Sequence, residues 1–421
     1  MNAPAANPSG TDRPSALAPF RYPAFRAIWI ANLFSNLGSL IQSVGAAWLM
    51  TELTKSHQLI ALVQASTTLP IMLLGLFAGA IADNYDRRRV MLAAQIGMLV
   101  VSAVLAVLSW EGLLGPISLL ALTFMVGAGT ALNGPAWQAS VRQQVGPRDL
   151  PQAITLNSVA FNLARSVGPA LGGLLISLWS VTAAFAFNAV SYIGMIVVLS
   201  RWQPEASAPA RQPMLASIAT GLHYCARSPA LRKVLLRGLV LGFGMAGYQS
   251  LLPSAARDLL RGDEIDYGLM LGVFGLASVL SAFMVGRLRQ RFGSENVVTA
   301  GTLAFIAAMS GMAEAHSLAL ALPSAFLGGL GWIAALTSLN VAMQLRSPET
   351  ILGRCMAIYQ AITFGGMALG AYAWGAMADF TDLPLAMHVA SGWLVLSLLL
   401  RFVAPMPTRE EGRLDTVETP K

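Results

Sequence analysis

Gly79-Ala-Ile-Ala-Asp83-Asn-Tyr-Asp86-Arg87-Arg88-Arg89 is the stretch that decides how this chain folds. It lies between two long apolar runs, residues 59–82 and 90–110, and gathers two carboxylates and three consecutive arginines into a short hairpin. A charged hairpin between apolar segments of membrane length marks two successive crossings of a bilayer. Arginine in short loops selects the cytoplasmic side, so this loop fixes the threading and every other segment follows by alternation.

Composition supports the same reading. Of 421 residues, 55% are hydrophobic and 11% charged, against about 25% charged in a soluble domain. So much apolar surface needs lipid as its solvent. The net charge of +7 does not point to nucleic acid, because the arginines sit in short inter-helix loops and make no continuous basic face. Cys225 and Cys355 both fall on the predicted cytoplasmic side, where thiols stay reduced. The four histidines are dispersed, with no metal-ligand spacing and no cysteine–histidine pair, so neither metal nor cofactor is expected. No Gly-rich phosphate loop and no catalytic motif occur, which argues against an ATP-driven pump and against an enzyme.

Twelve segments approach the roughly 20 apolar residues that span a bilayer. They cover about 26–50, 59–82, 90–110, 115–140, 153–178 and 182–200 in the first half. In the second half they cover 235–255, 267–288, 296–315, 318–343, 355–377 and 384–403. With the N-terminus inside, the basic residues fall in the cytoplasmic segments, except Lys55, Arg257 and Arg261 outside and Arg165 within a span. That asymmetry predicts an all-α integral membrane protein with both termini cytoplasmic. Its parts would be a cytoplasmic tail (1–25), a six-helix bundle (26–200), a linker (201–233), a second six-helix bundle (234–403) and a cytoplasmic tail (404–421). The first 23 residues lack an apolar core before a cleavage site and read as a disordered tail, not a signal peptide.

In the linker, Leu215, Ile218, Leu222 and Ala226 recur at helical spacing among Arg211, Arg227, Arg232 and Lys233. This is either an amphipathic helix on the inner leaflet or a cytoplasmic helix packed on the bundle. The halves also look like a repeat. Gly286-Arg-Leu-Arg-Gln290 overlays Gly79-Ala-Ile-Ala-Asp83, and Pro147-Arg-Asp overlays Pro348-Glu-Thr. Two parallel six-helix halves related by an axis along the membrane normal are a known transporter plan.

These features resemble the major facilitator superfamily. Gly79–Arg89 is similar to its loop signature Gly-x-x-x-Asp-Arg-x-Gly-Arg-Arg, with Asn84 and Asp86 as departures. Gly168-Pro169-Ala170-Leu171-Gly172-Gly173 resembles the Gly-Pro-x-x-Gly-Gly motif of its drug and proton antiporter branches. The run from Leu156 to Pro169, and Asn36-Leu-Gly through Gly45 to Thr51, resemble the enterobactin-exporter-like, transmembrane secretion effector branch. The resemblance implies the major facilitator fold, residence in the cell inner membrane and efflux of a small molecule against protons. It also implies a conformational latch of Gly79, Asp83, Asp86, Arg87, Arg88 and Arg142, in which Asp83 meets the start of the eleventh helix. The alternative is that Asp83 and Asp86 only neutralise the arginines. The fourth span lacks the intramembrane arginine of many proton antiporters of the superfamily.

Arg165 is the one ionisable side chain near the middle of a predicted span. A centred arginine costs about 2.5–3.5 kcal/mol on insertion scales and normally faces a cavity or a partner. Ser158, Asn162 and Arg165 share a helix face, which predicts a cavity lining with Arg165 on an anionic or polar part of the cargo. A structural arginine bonded where Pro169 breaks the ladder is the other reading. Asn32 and Asn36, with Ser39 and Ser43, form a polar stripe on the first span; Gln64 joins from the second. Gln249, Asn340, Tyr359 and Gln360 are the candidates of the second half. Trp48, Trp137, Trp332 and Trp374 read as interface anchors or as flanks of the pocket. Gly168, Pro169, Gly172 and Gly173 are expected to pack helices closely, and by the resemblance to act as hinge or seal.

The expected function is a monomeric secondary exporter of a small amphiphilic molecule, of siderophore or drug class, working by alternating access. Proton antiport is implied by the resemblance alone, since no carboxylate stands at the centre of a span. A lysophospholipid or lipid flippase, or an uptake carrier of the same fold, is the alternative.

Overall fold

The computed structural model describes residues 16–204, 214–348 and 351–406, apart from the side chains of Asp83 and of residues 214–217. The first bundle comprises α1 (Pro23–Leu53), α2 (His57–Asn84), α3 (Arg87–Trp110), α4 (Pro116–Ser140), α5 (Leu150–Leu178) and α6 (Val181–Arg201). A linker helix, α7 (Met214–Arg227), leads to α8 (Pro229–Ser254), which ends in a π turn at Ala255–Leu259. Then follow α9 (Glu264–Phe292), α10 (Ser294–Ala313), α11 (Leu318–Arg346), α12 (Leu352–Phe380) and α13 (Leu383–Ser397). The twelve long helices are the expected spans. Among the described residues, ten are long and apolar enough to cross a membrane by composition. α1 and α12 match them in length, at 31 and 29 residues, but carry the polar residues assigned above to a cavity, which lowers their hydropathy.

Local chemistry explains where helices begin. Ser56, Asp86, Ser180, Ser228, Asp263 and Asp382 each accept a backbone N–H of the first turn with their side-chain oxygen. Such caps satisfy donors that have no partner within the helix and are worth about 1 kcal/mol each. Pro70 inside α2 and Pro169 inside α5 are tolerated because the carbonyls they free, of Ser66 and Arg165, lie against glycines of neighbouring helices, Gly127 and Gly275.

Within the first bundle α1 packs on α5 and α6, and α4 on α2 and α3; within the second α8 packs on α12, and α11 on α9 and α10. The bundles meet along two seams, α2 with α12 and α5 with α9. Because α9 repeats α2 and α12 repeats α5, each seam is the other's image under the internal repeat. The aligned glycines behave alike: Gly79 near the end of α2 and Gly286 near the end of α9 both have open space where a side chain would begin. Twelve antiparallel crossings bring the first and last described residues to one end, here termed the inner end.

Three details differ from the sequence reading. The stretch before α1, expected as part of a loose tail, forms a turn at Ala18–Arg21. Arg21 and the Tyr22 hydroxyl both donate to Asp149, which is buried before α5. The linker helix is present, but its docking face is rotated from the expected stripe. Tyr224 and Cys225 are buried while Leu222 is 47% exposed, because Gly221 lets α7 lie directly on α12. Of the two readings of the tryptophans, Trp48, Trp332 and Trp374 depart from the interface-anchor one, since all three are buried among helices.

Candidate functional site

At the outer end the two bundles are bonded to each other. Asp379, at the end of α12, accepts from Ser56 Oγ at 2.6 Å and from the backbone N–H groups of His57 at 2.5 Å and Gln58 at 3.2 Å. A carboxylate from one bundle thus caps the N-terminus of a helix in the other, where the helix dipole favours negative charge. Arg257, beyond α8, donates through Nη1 to the carbonyls of Thr51 at 2.6 Å and Thr54 at 2.9 Å, where α1 ends. Its remaining nitrogens grip Asp258, whose carboxylate lies 3.7 Å from His57 Nδ1. Trp48 stacks on Tyr267 with centroids 6.3 Å apart. Cap loss costs about 0.5–2 kcal/mol. Asp379→Ala is therefore expected to shift the balance about fivefold towards an open outer end, read as faster alkylation of a cysteine introduced at Gln58, whose backbone, not side chain, bonds the seam. An unchanged alkylation rate would count against the seam.

Below the outer end, α5 and α9 touch backbone to backbone. Gly173 lies on Gly268, Pro169 O faces Gly268, and Arg165 and Ser166 face Gly275. The motif glycines divide their work: Gly168 and Gly172 seat Leu40, Ile41 and Val44 of α1, while Gly173 serves the seam. Ser158, Asn162 and Arg165 continue the α9-facing side of α5 towards the inner end. There Ser158 is exposed, and Asn162 and Arg165 are half-buried. The glycine-mediated approaches of α5 to α9 run from Gly173 in to Arg165, and Ser158, two turns further in, is exposed.

Arg165 sits at this boundary. Its Cζ lies 5.9 Å from the ring centre of Trp332 on α11, a cation–π contact across the bundles. Trp332 belongs to an aromatic group with Phe274 at 6.1 Å and Phe305 at 6.1 Å. Tyr248 of α8 stacks on Phe274 at 5.9 Å. Among the described residues no carboxylate pairs with Arg165, so its charge is available to a ligand.

The other sequence candidates occupy distinct positions. Asn32, Asn36 and Ser43 lie on the side of α1 turned away from α6, which Gly38 and Gly45 face, and are half-buried. Ser39 instead bonds Tyr192 at 3.2 Å. Gln64 on α2 and Gln249 on α8 are half-buried. Asn340 accepts from Gln344 at 2.6 Å, and the buried Tyr359 donates to Leu336 O at 3.4 Å. Gln360 is exposed, between the face of α12 on α8 and the face on α2.

The described latch candidates bind within their own bundle here. Asp86 caps α3 through Arg89 N at 2.9 Å. Arg87 donates to Ala139 O at 3.1 Å, and Arg88 to Leu199 O at 2.7 Å and Ser200 O at 2.6 Å, so both cations cover carbonyls where α4 and α6 end. Arg142 is exposed, and Gly79 has no neighbour within 4 Å of a would-be side chain. The side chain of Asp83 lies outside the described residues.

Sequence reasoning missed a buried network in the first bundle. Gln42 Oε1 accepts from Ser102 at 2.8 Å and Asn188 at 2.8 Å, and Asn188 also donates to Tyr192 at 3.1 Å. This fastens α1, α3 and α6 to one another, as buried polar groups require. It also missed the outer seam, although the signal was there: Arg257 is one of the few basic residues outside the loops expected to be cytoplasmic.

Comparison with known proteins agrees with this architecture. The family profile described as transmembrane secretion effector matches residues 14–420. An enterobactin exporter, EntS of Shigella boydii serotype 4, is 26% identical over 392 residues, covering 91% of this chain and 92% of that protein. The staphyloferrin A transporter of Staphylococcus aureus is 22% identical over 278 residues, covering 66% and 70%. Among solved structures, a bacterial homologue of the human lysosomal transporter Spinster superposes with a TM-score of 0.72 at 16% identity, covering 95% of this chain and 99% of that one.

Proposed function

This chain belongs to the transmembrane secretion effector family of major facilitator transporters, and from that premise we propose that it exports a small amphiphilic anion, of siderophore or drug class, by alternating access. The observation that carries the reading is Arg165: a cation at mid-helix, without a carboxylate partner among the described residues, resting on an aromatic group of the opposite bundle. A charge in this position is expensive to insert and is kept where it faces cargo. Trp332 and its neighbours supply the apolar surface for the rest of an amphiphile.

The sealed outer end and the exposed Ser158 below Arg165 correspond to the loading state of an exporter whose inner end is cytoplasmic. The basic loops support that sidedness and residence in the plasma membrane. Cargo enters from the inner end, meets Arg165, and leaves once the outer seam parts and the inner end closes. The Gly79–Arg89 loop, with Asp83 and Arg142, then serves as the latch of the second state, releasing nothing that the first state uses. Proton antiport supplies the drive, and the monomer is the working unit. The names of relatives that handle enterobactin and staphyloferrin A favour an iron-chelating cargo.

The test is efflux from cells expressing the chain, across a panel of siderophores, drugs and lysolipids, with and without a protonophore. Export of an anionic amphiphile that collapses with the protonophore is the expected result. Accumulation inside cells, or movement of lysolipid alone, would overturn it.

A further inference from the structure

The chain has two cysteines, and the fold brings them together. Cys225, in the last turn of α7, and Cys355, in the first turn of α12, are both buried in the same core cluster, close enough for each thiol to perturb the other. A buried residue touches about 6–12 others, so two residues placed independently in a chain of this length would meet in only about a few per cent of cases. The junction is seen independently of the thiols. One turn before Cys225, a Cβ at Gly221 would lie 2.9 Å from Arg354 Cβ and 3.3 Å from Ile358 Cδ1, so α7 lies flush on α12. The same helix also touches α2 of the other bundle. α7 therefore joins one gate helix from each bundle at the open, inner end, and motion between the bundles must shift it against one of them.

We propose that Cys225 and Cys355 form a reversible disulfide that staples α7 to α12 and arrests the transporter with its inner end open. Cys355 is the better-placed nucleophile, at a helix N-terminus and next to Arg354 in sequence. A peroxide is the oxidant. The Cys355 thiolate attacks one peroxide oxygen, the O–O bond breaks, and a sulfenic acid and hydroxide result. The Cys225 thiol then attacks that sulfur; the S–S bond forms, the S–O bond breaks, and the oxygen leaves as water with the thiol proton. Small-molecule thiols reverse the step by exchange, which keeps the pair reduced in an unstressed cytoplasm.

The test uses the purified full-length chain, reduced and then treated with hydrogen peroxide in detergent and in proteoliposomes. Mass spectrometry after thiol blocking is expected to find the Cys225–Cys355 cross-linked peptide, with a thermal midpoint several degrees higher, as closing so long a loop predicts. Export is expected to fall at least fivefold on oxidation and to recover with dithiothreitol, while Cys225→Ser and Cys355→Ser respond to neither. Separate oxidation of the two sulfurs without a cross-link would overturn the staple, as would a cross-linked protein that exports normally. The arrest of export rests on the exporter reading, whereas the cross-link and the thermal shift do not. Absence of export from reduced protein with a normal cross-link would therefore count against the exporter and leave the staple standing.

Discussion

Arg165→Ala is expected to reduce export of an anionic cargo by at least tenfold while the protein inserts and folds as before. A hydrogen bond to a charged group contributes about 1.5–3 kcal/mol, and each 1.4 kcal/mol is about tenfold in affinity. The loss should appear chiefly as weaker binding of the cargo from the inner end. Arg165→Lys keeps the charge but not the flat contact with Trp332, and should fall between the two. Fold and function separate cleanly here. An arginine kept to satisfy backbone near Pro169 would lower the thermal midpoint when removed, whereas a cargo arginine, expensive to bury, leaves it unchanged or raises it. Equal export by wild type and Arg165→Ala, measured in proteoliposomes with matched protein amounts, would remove Arg165 from the site.

Gly268→Leu is expected to abolish cycling, with export lowered more than tenfold and the outer end left open. A Cβ at Gly268 would sit 2.8 Å from Pro169 O and 3.0 Å from Gly173 Cα. Both are backbone atoms of α5, and neither can give way as a flexible side chain would. Overpacking of this kind costs about 1–3 kcal/mol, enough to invert an equilibrium between two conformations of similar energy. The readout is alkylation, at the outer end, of a cysteine introduced at Gln58, which should rise as export falls. Gly286→Ala is the matched control: with nothing within 4 Å, it should export normally and gain slightly in helix stability. Slow outer alkylation in Gly268→Leu, equal to wild type, would show that the α5–α9 contact is not the seal.

Much of the fold is legible in the sequence because a bilayer leaves few options. Backbone groups in lipid must be bonded within their own segment, so a run of about 20 apolar residues is a helix. The arginines of the hairpin after α2 then order the helices by sidedness. Their individual roles are not legible. Arg87 and Arg88 bind the ends of α4 and α6, helices whose adjacency to that loop arises only when the bundle is assembled. The candidate site divides in the same way. Spacing finds Ser158, Asn162 and Arg165 on one face of one helix, but Trp332 is brought to Arg165 from the other bundle, and no local pattern connects the two. Asp379 looks like an ordinary helix-end carboxylate until α2 is set beside α12.

By itself, then, the sequence determines twelve crossings, their order, an internal repeat and a single charged side chain at mid-membrane, because each of these follows from the short-range cost of placing polar groups in lipid. The tertiary structure decides which cations fasten a bundle, which carboxylate closes the outer seam, which glycines let α5 meet α9, and that two solitary cysteines become neighbours. These depend on contacts between residues far apart in the chain, whose energies are set by distance and burial after packing and leave no periodic trace along the chain.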